Sequence, residues 1–144
     1  MVIDREGIVT RLRRLGNSVA ELRDLCPATL EEYVGNRRLQ RNCERELQIA
    51  IQCVLDIGSH IIAEETLESP EELKDIFAVL GSSNILPQAF ASRLEPMAGF
   101  RNILVHDYLR IDHAKVYAAL TRGLDDLLEF ARYVQAWLDR KAEA

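Results

Sequence analysis

Several residue types are scarce in this chain, and each scarcity narrows the field. Aromatics make up only 6% of the 144 residues, with 7 glycines and 4 prolines. So little turn-forming and sheet-packing material argues against a β sandwich or barrel. The cysteines number 3, Cys26, Cys43 and Cys53, an odd count without CxxC spacing. That excludes a disulfide framework and the common zinc-knuckle patterns. Cys43 and Cys53 fall in helical patterns and read as small buried hydrophobes. Met1-Val2-Ile3-Asp4-Arg5-Glu6 holds no apolar signal core, so the expected compartment is the reducing cytoplasm. No apolar run approaches the roughly 20 residues of a membrane span, and no membrane partner is expected. Positive charge is also in deficit: the net charge is −5. That counts against a broad electrostatic grip on nucleic acid, but does not exclude a small local cationic cleft. Arginine outnumbers lysine by 15 to 3.

Nearly half of the chain, 48%, is hydrophobic, and its order is helical. Ile8, Leu12, Leu15, Val19, Leu22 and Leu25 recur every three or four residues and predict a helix over residues 4–25. Asp4 is the expected cap and Pro27 the stop; Gly16 inside is a mild cost. Residues 29–35 predict a partial helical turn. A long helix follows from Asn36 to Glu65, with the stripe Leu39, Cys43, Leu47, Ala50, Val54, Ile57 and Ile61. Its opening face is polar and rich in Arg and Glu: Arg37, Arg38, Arg41, Glu44, Arg45 and Glu46. Ser69 and Pro70 predict the start of a shorter helix, which Gly81 closes. A fourth helix, opening at residues 84–87, is lined by Phe90, Leu94 and Met97. Pro96 and Gly99 predict a kink or break in it. Asp112 caps a last helix to about Arg140. The expected fold is all-α: one domain over residues 1–144, an up-and-down bundle of four to five helices.

The chemistry is concentrated in twelve residues, Arg101-Asn102-Ile103-Leu104-Val105-His106-Asp107-Tyr108-Leu109-Arg110-Ile111-Asp112. A permanent cation, an amide, an imidazole and a phenol fall within eight positions. Arg stabilises phosphate charge with its planar fork, and His exchanges a proton near neutral pH. Together they are the least equipment that cuts a phosphodiester without a metal. On one unbroken helix at about 100° per residue, Asn102 and His106 share a face, while Arg101 and Tyr108 stack on another. The groups converge on one phosphate only if the backbone breaks near Gly99, or if two copies pair about a two-fold axis. A non-chemical reading stands beside this one: a His106 bonded to a carbonyl in the core, and a Tyr108 anchoring an interface. No HExxH, Walker loop or GxGxxG is present, and neither metal nor cofactor is expected.

Glu46 and Asp56, on the long helix, would support Arg101 or His106 if they face the same cleft. Their alternative is a solvated helix face. The arginines Arg37, Arg38, Arg41 and Arg45 would either extend a track for RNA or form surface ion pairs with nearby glutamates.

The segment from Arg101 to Tyr108 resembles the Arg-x4-His-x-Tyr motif of HepT-type toxins of the HEPN superfamily. The likeness extends through LPQAFASRLEPMAGFRNILVHDYLRIDHAKVYAALTRGLDDLLEFARYV and RNCERELQIAIQCVLDIGSHIIAE, over about 100 of the 144 residues. It implies an all-helical homodimer with the motif at the dimer cleft. It also implies a metal-independent endoribonuclease, the toxin of a toxin–antitoxin pair acting on an RNA substrate. The implied catalytic residues are Arg101, His106 and Asn102. The implied partner is a nucleotidyltransferase antitoxin of the MNT type, which neutralises the toxin by transferring AMP to the motif tyrosine, here Tyr108. The alternative is a non-catalytic helical binding subunit of a nucleotidyltransferase complex.

Overall fold

A computed structural model describes residues 5–143. Four long helices make the bundle: α1 (Arg5–Leu25), α3 (Arg37–Glu64), α5 (Gln88–His106) and α7 (Leu124–Glu143). Shorter helices join them: α2 (Leu30–Val34), α4 (Asp75–Ser82) and α6 (His113–Ala118). The expected all-α architecture is the observed one, and no strand occurs among the described residues. Asp4, the expected first cap, lies outside the described residues.

Side-chain pairs fix the helix directions. Arg5 Nη1 donates to the Leu138 carbonyl at 3.4 Å, while Arg23 meets Asp125 at 2.6 Å, so α1 and α7 are antiparallel. Phe90 packs on Tyr133, and Arg93 pairs with Asp126 and Glu129, which sets α5 antiparallel to α7. Near the C-terminal ends of α3 and α7, Trp137 Nε1 donates to Glu65 at 3.2 Å.

Helix α3 is the central element because its apolar stripe covers most of a turn. Cys43, Leu47, Ala50, Ile51, Cys53, Val54, Leu55, Ile57 and Ile61 are all buried, and α1, α4, α5 and α7 all pack on it. Asn36 caps it, its side chain accepting from the Leu39 N–H at 3.0 Å. By length and composition this helix is apolar enough to cross a membrane, contrary to the sequence expectation. Yet 56% of its apolar window is buried inside the protein, as befits the core helix of a bundle.

Two boundaries differ from expectation. Helix α4 begins at Asp75 rather than after Ser69. The Asp75 carboxylate accepts from the Glu72 N–H at 3.0 Å, capping the turn that precedes it. Gly81 lies inside α4 and does not close it. A Cβ there would stand 3.0 Å from the Ala91 Cβ, so this glycine lets α4 and α5 approach. Asn84, at φ +61°, makes the reversal instead. The expected last helix is one helical path interrupted by a π-type turn, Ala119–Gly123, between α6 and α7.

Two glycines make opposite predictions. A Cβ at Gly58, buried in α3, would lie 2.5 Å from Ile76 Cγ2. Gly58→Val should therefore destabilise the fold by about 2 kcal/mol through overpacking. At Gly16 of α1 nothing lies within 4 Å of a Cβ, so Gly16→Ala should stabilise by about 0.5–1 kcal/mol. Denaturant midpoints of the two variants check both signs.

Candidate active site

Helix α5 carries the motif and runs unbroken through Pro96 and Gly99 to His106. The expected break at Gly99 is absent. Leu94 and Ala98 are buried on either side of Pro96 and hold that stretch on the core. The break comes eight residues beyond Gly99. Asp107, at φ −131° and ψ 45°, leaves the helix, while its N–H still donates to the Ile103 carbonyl at 3.0 Å. Tyr108–Arg110 form a single 3-10 turn, and the Asp112 carboxylate starts α6 by accepting from the Ala114 N–H at 2.9 Å. Tyr108 is therefore not stacked two turns above Arg101 on a continuing helix. It sits on a separate turn past the helix end.

Arg101 is half-buried and held from α3. Its Nε donates to Gln52 Oε1 at 2.9 Å and its Nη1 to Asn102 Oδ1 at 3.1 Å. Gln52 is oriented in turn, its Nε2 donating to Asp56 Oδ1 at 2.8 Å. Arg11 of α1 approaches Asp56 at 3.9 Å. The chain Arg11, Asp56, Gln52, Arg101 thus crosses three helices. It fixes the guanidinium stem while leaving N–H donors for an anion. Asp56 supports Arg101 through Gln52 rather than by direct pairing. Glu46 supports neither motif residue: its Oε1 meets Arg14 of α1 at 3.5 Å.

Asn102 and His106 are exposed, one helical turn apart on α5. His106 makes no hydrogen bond or ion pair among the described residues, so it is not a satisfied core histidine. Tyr108 is 68% exposed and its neighbour Leu109 87%, which leaves the phenol open to a modifying enzyme. The structure brings Arg101, Asn102 and Gln52 into contact, and sets His106 and Tyr108 at the same helix end with free side chains.

Beside the motif lies an apolar groove of about 440 Å³ between α3, α5 and the π-type turn. Leu47, Ile51, Met97, Phe100 and Ile103 line it, with Arg93 and Lys115 at its edge. A separate polar cluster lies under α2. His113 Nδ1 stands 3.9 Å from Glu44, and its ring meets the buried Tyr33 edge-on at 6.2 Å. Burial raises the Glu44 carboxyl, with His113 and Arg41 opposing. Burial likewise raises the Tyr33 phenol and pushes the Cys43 thiol up to about 11. Both groups stay neutral near pH 7, in keeping with packing roles. Cys26, Cys43 and Cys53 are all unbridged, and no cluster of three metal-ligating side chains occurs among the described residues.

The sequence profile of the ribonuclease HepT-like family matches residues 15–134. The chain belongs to that family. It is 30% identical to the tRNA nuclease HepT of Aphanizomenon flos-aquae over 131 residues, 91% of this chain and 89% of that protein. It is 31% identical over 98 residues to the mRNA nuclease HepT of Shewanella oneidensis, 68% of this chain and 74% of that one. Its fold matches the tri-AMPylated HEPN toxin of Shewanella oneidensis, solved in complex with an MNT antitoxin, with a TM-score of 0.84. The two are 23% identical, over 92% of this chain and 98% of that chain.

Gln52 is the member of this HepT-like site that the motif does not announce. Its signal is an amide inside the apolar run Ile49-Ala50-Ile51-Gln52-Cys53-Val54-Leu55, four residues before Asp56. Replacing Gln52 by Leu removes the acceptor for Arg101 at nearly constant volume. RNA cleavage by Gln52→Leu should fall about 10- to 100-fold, equivalent to about 1.4–2.7 kcal/mol. In an Arg101→Ala background the same change should add little. Single-turnover rates of the four proteins check this.

Proposed function

We propose that this protein is an endoribonuclease toxin that cuts RNA without a metal, using Arg101, Asn102 and His106, and that AMP transfer to Tyr108 silences it. The observation that carries this reading is the end of α5. There Arg101 is pre-oriented by Gln52, five residues before an unpartnered His106 on the same helix, with Tyr108 exposed just past it.

The roles follow from the chemistry. His106 takes the proton from a ribose 2′-hydroxyl, and the 2′ oxygen attacks the adjacent phosphorus. The bond to the 5′ oxygen breaks, leaving a 2′,3′-cyclic phosphate. Arg101 holds the phosphate and stabilises the charge that develops on it. Asn102, bonded to Arg101, orients the phosphate. The departing 5′ oxygen needs a proton. In a two-fold pair a second His106 stands in the same cleft to give it.

The same arrangement favours a homodimer. Ile103 and Leu109 are exposed apolar side chains on either side of His106, and the apolar groove opens next to Ile103. Pairing through this surface would remove apolar area from water and bring two motifs together.

AMP on Tyr108 places a bulky phosphodiester, with its negative charge, where the RNA phosphate must sit. Exclusion and like-charge repulsion both inhibit. The partner that performs the transfer is a nucleotidyltransferase antitoxin of the MNT type, a reading supported by the likeness to a tri-AMPylated Shewanella toxin solved in complex with an MNT antitoxin. The working compartment is the cytoplasm.

Purified protein incubated with total cellular RNA in excess EDTA should cut it, and His106→Ala should not. Cutting by both proteins, or by neither, would overturn the assignment. Tyr108→Phe should keep toxicity in cells and escape the antitoxin; loss of toxicity would give the phenol a catalytic or structural role instead.

A further inference from the structure

Counting back along α3 from Gln52, the residues at alternating spacings of four and three are Gln48, Arg45, Arg41 and Arg38. At about 100° per residue these five positions stay within about 40° of one line on the helix. They form one ridge, which starts at the side chain that holds Arg101. Arg38, Arg41 and Arg45 are exposed, and Arg37 lies at the ridge's edge.

The bland explanation for such a row is ion pairing with neighbouring glutamates, and the geometry removes it. Glu46 is engaged by Arg14 of α1 at 3.5 Å. Glu44 faces His113 of α6 at 3.9 Å, with Arg41 near enough to favour its charged form. Among the described residues, none of Arg37, Arg38, Arg41 and Arg45 has an ion-pair partner within 4.0 Å. In a chain of net charge −5, an aligned row of arginines without a close ion-pair partner is a local exception. It leads away from the one arginine assigned to a phosphate.

We propose that this ridge of α3 is a track for the RNA strand, gripping phosphates on one side of the cleavage point. The proposal rests on the ribonuclease reading above and adds how the substrate is held. Arg38 to Gln52 spans 14 residues of helix, about 21 Å at about 1.5 Å per residue. That length matches about six nucleotides of stacked strand at about 3.4 Å each. Arginine forks on phosphates carry no base information, so the track selects single-stranded length rather than sequence. Substrates reaching along it bind tighter than those ending at the cut.

The test is the salt dependence of binding to a fluorescent single-stranded RNA of about 20 nucleotides. The His106→Ala background prevents cleavage. Each phosphate contact on a single strand contributes about 0.7 to the slope of log K against log salt. Adding Arg38→Gln, Arg41→Gln and Arg45→Gln together should flatten the slope by about 2 and weaken binding at least tenfold at low salt. Glutamine keeps helix propensity, and an unchanged melting temperature shows that the fold is kept. Arg132→Gln with Arg140→Gln, on α7, should leave the slope unchanged. An unchanged slope in the triple variant would overturn the track and leave the ribonuclease reading standing. A triple variant that holds RNA normally but fails to bind the antitoxin would overturn it too, making the ridge a protein-docking face. No RNA binding by the His106→Ala protein, at any salt, would overturn the ribonuclease reading and the track with it.

Discussion

The hydrogen bond from Arg101 Nε to Gln52 Oε1, 2.9 Å long, ties the motif to the scaffold. Arg101 lies near the end of α5, where the helix is about to stop and a long side chain has many rotamers. Left unrestrained, it would lose about 2 kcal/mol of rotamer freedom on gripping a phosphate. Gln52 sits on the longest and most buried helix of the bundle, and Asp56 and Arg11 fix its amide in turn. The site therefore takes its rigidity from the α1–α3 packing rather than from the segment that holds the motif. Such support by packed helices is what precise positioning of a charged group requires.

The second constraint is where α5 ends. Had the helix continued, Tyr108 would have followed the helical phase and turned away from His106. By leaving the helix at Asp107 and making one 3-10 turn, the chain presents Tyr108 and Leu109 to solvent. His106 stays on the last helical turn, with Asn102 one turn behind it. The proposed modification target and the proposed proton-transfer group are thereby two residues apart in the chain but not in helical register. Under the proposed function, this separation would let one be altered by a partner enzyme while the other serves the reaction.

Much of the architecture was legible in the order of apolar residues. The stripe from Leu39 to Ile61 gave α3 to within a residue at each end, and Asp112 caps the helix that it was expected to cap. The misplaced boundaries have physical reasons. Ser69 and Pro70 carry a good start signal, but the turn they open is closed by Asp75, and α4 begins only there. Pro96 and Gly99 are local helix breakers, and the burial of Leu94 and Ala98 outweighs them. Of the site, Arg101, Asn102, His106 and Tyr108 were legible because their types and spacing are unusual. Gln52 was not, because a single amide in an apolar run has no periodic signature, and its importance arises only when α5 packs on α3. Asp56 and Glu46 looked equivalent in sequence. Asp56 lies one turn past Gln52 and bonds to it, whereas Glu46 is taken by Arg14.

In the proposed mechanism His106 activates the ribose 2′-hydroxyl while Arg101 holds the phosphate. The most direct measurement is the chemistry of the ends that the purified protein leaves on a defined RNA, read by mass spectrometry. A 2′,3′-cyclic phosphate opposite a 5′-hydroxyl is the expected result. A 3′-hydroxyl opposite a 5′-phosphate would contradict it, because those ends arise from attack by water and not by the neighbouring hydroxyl.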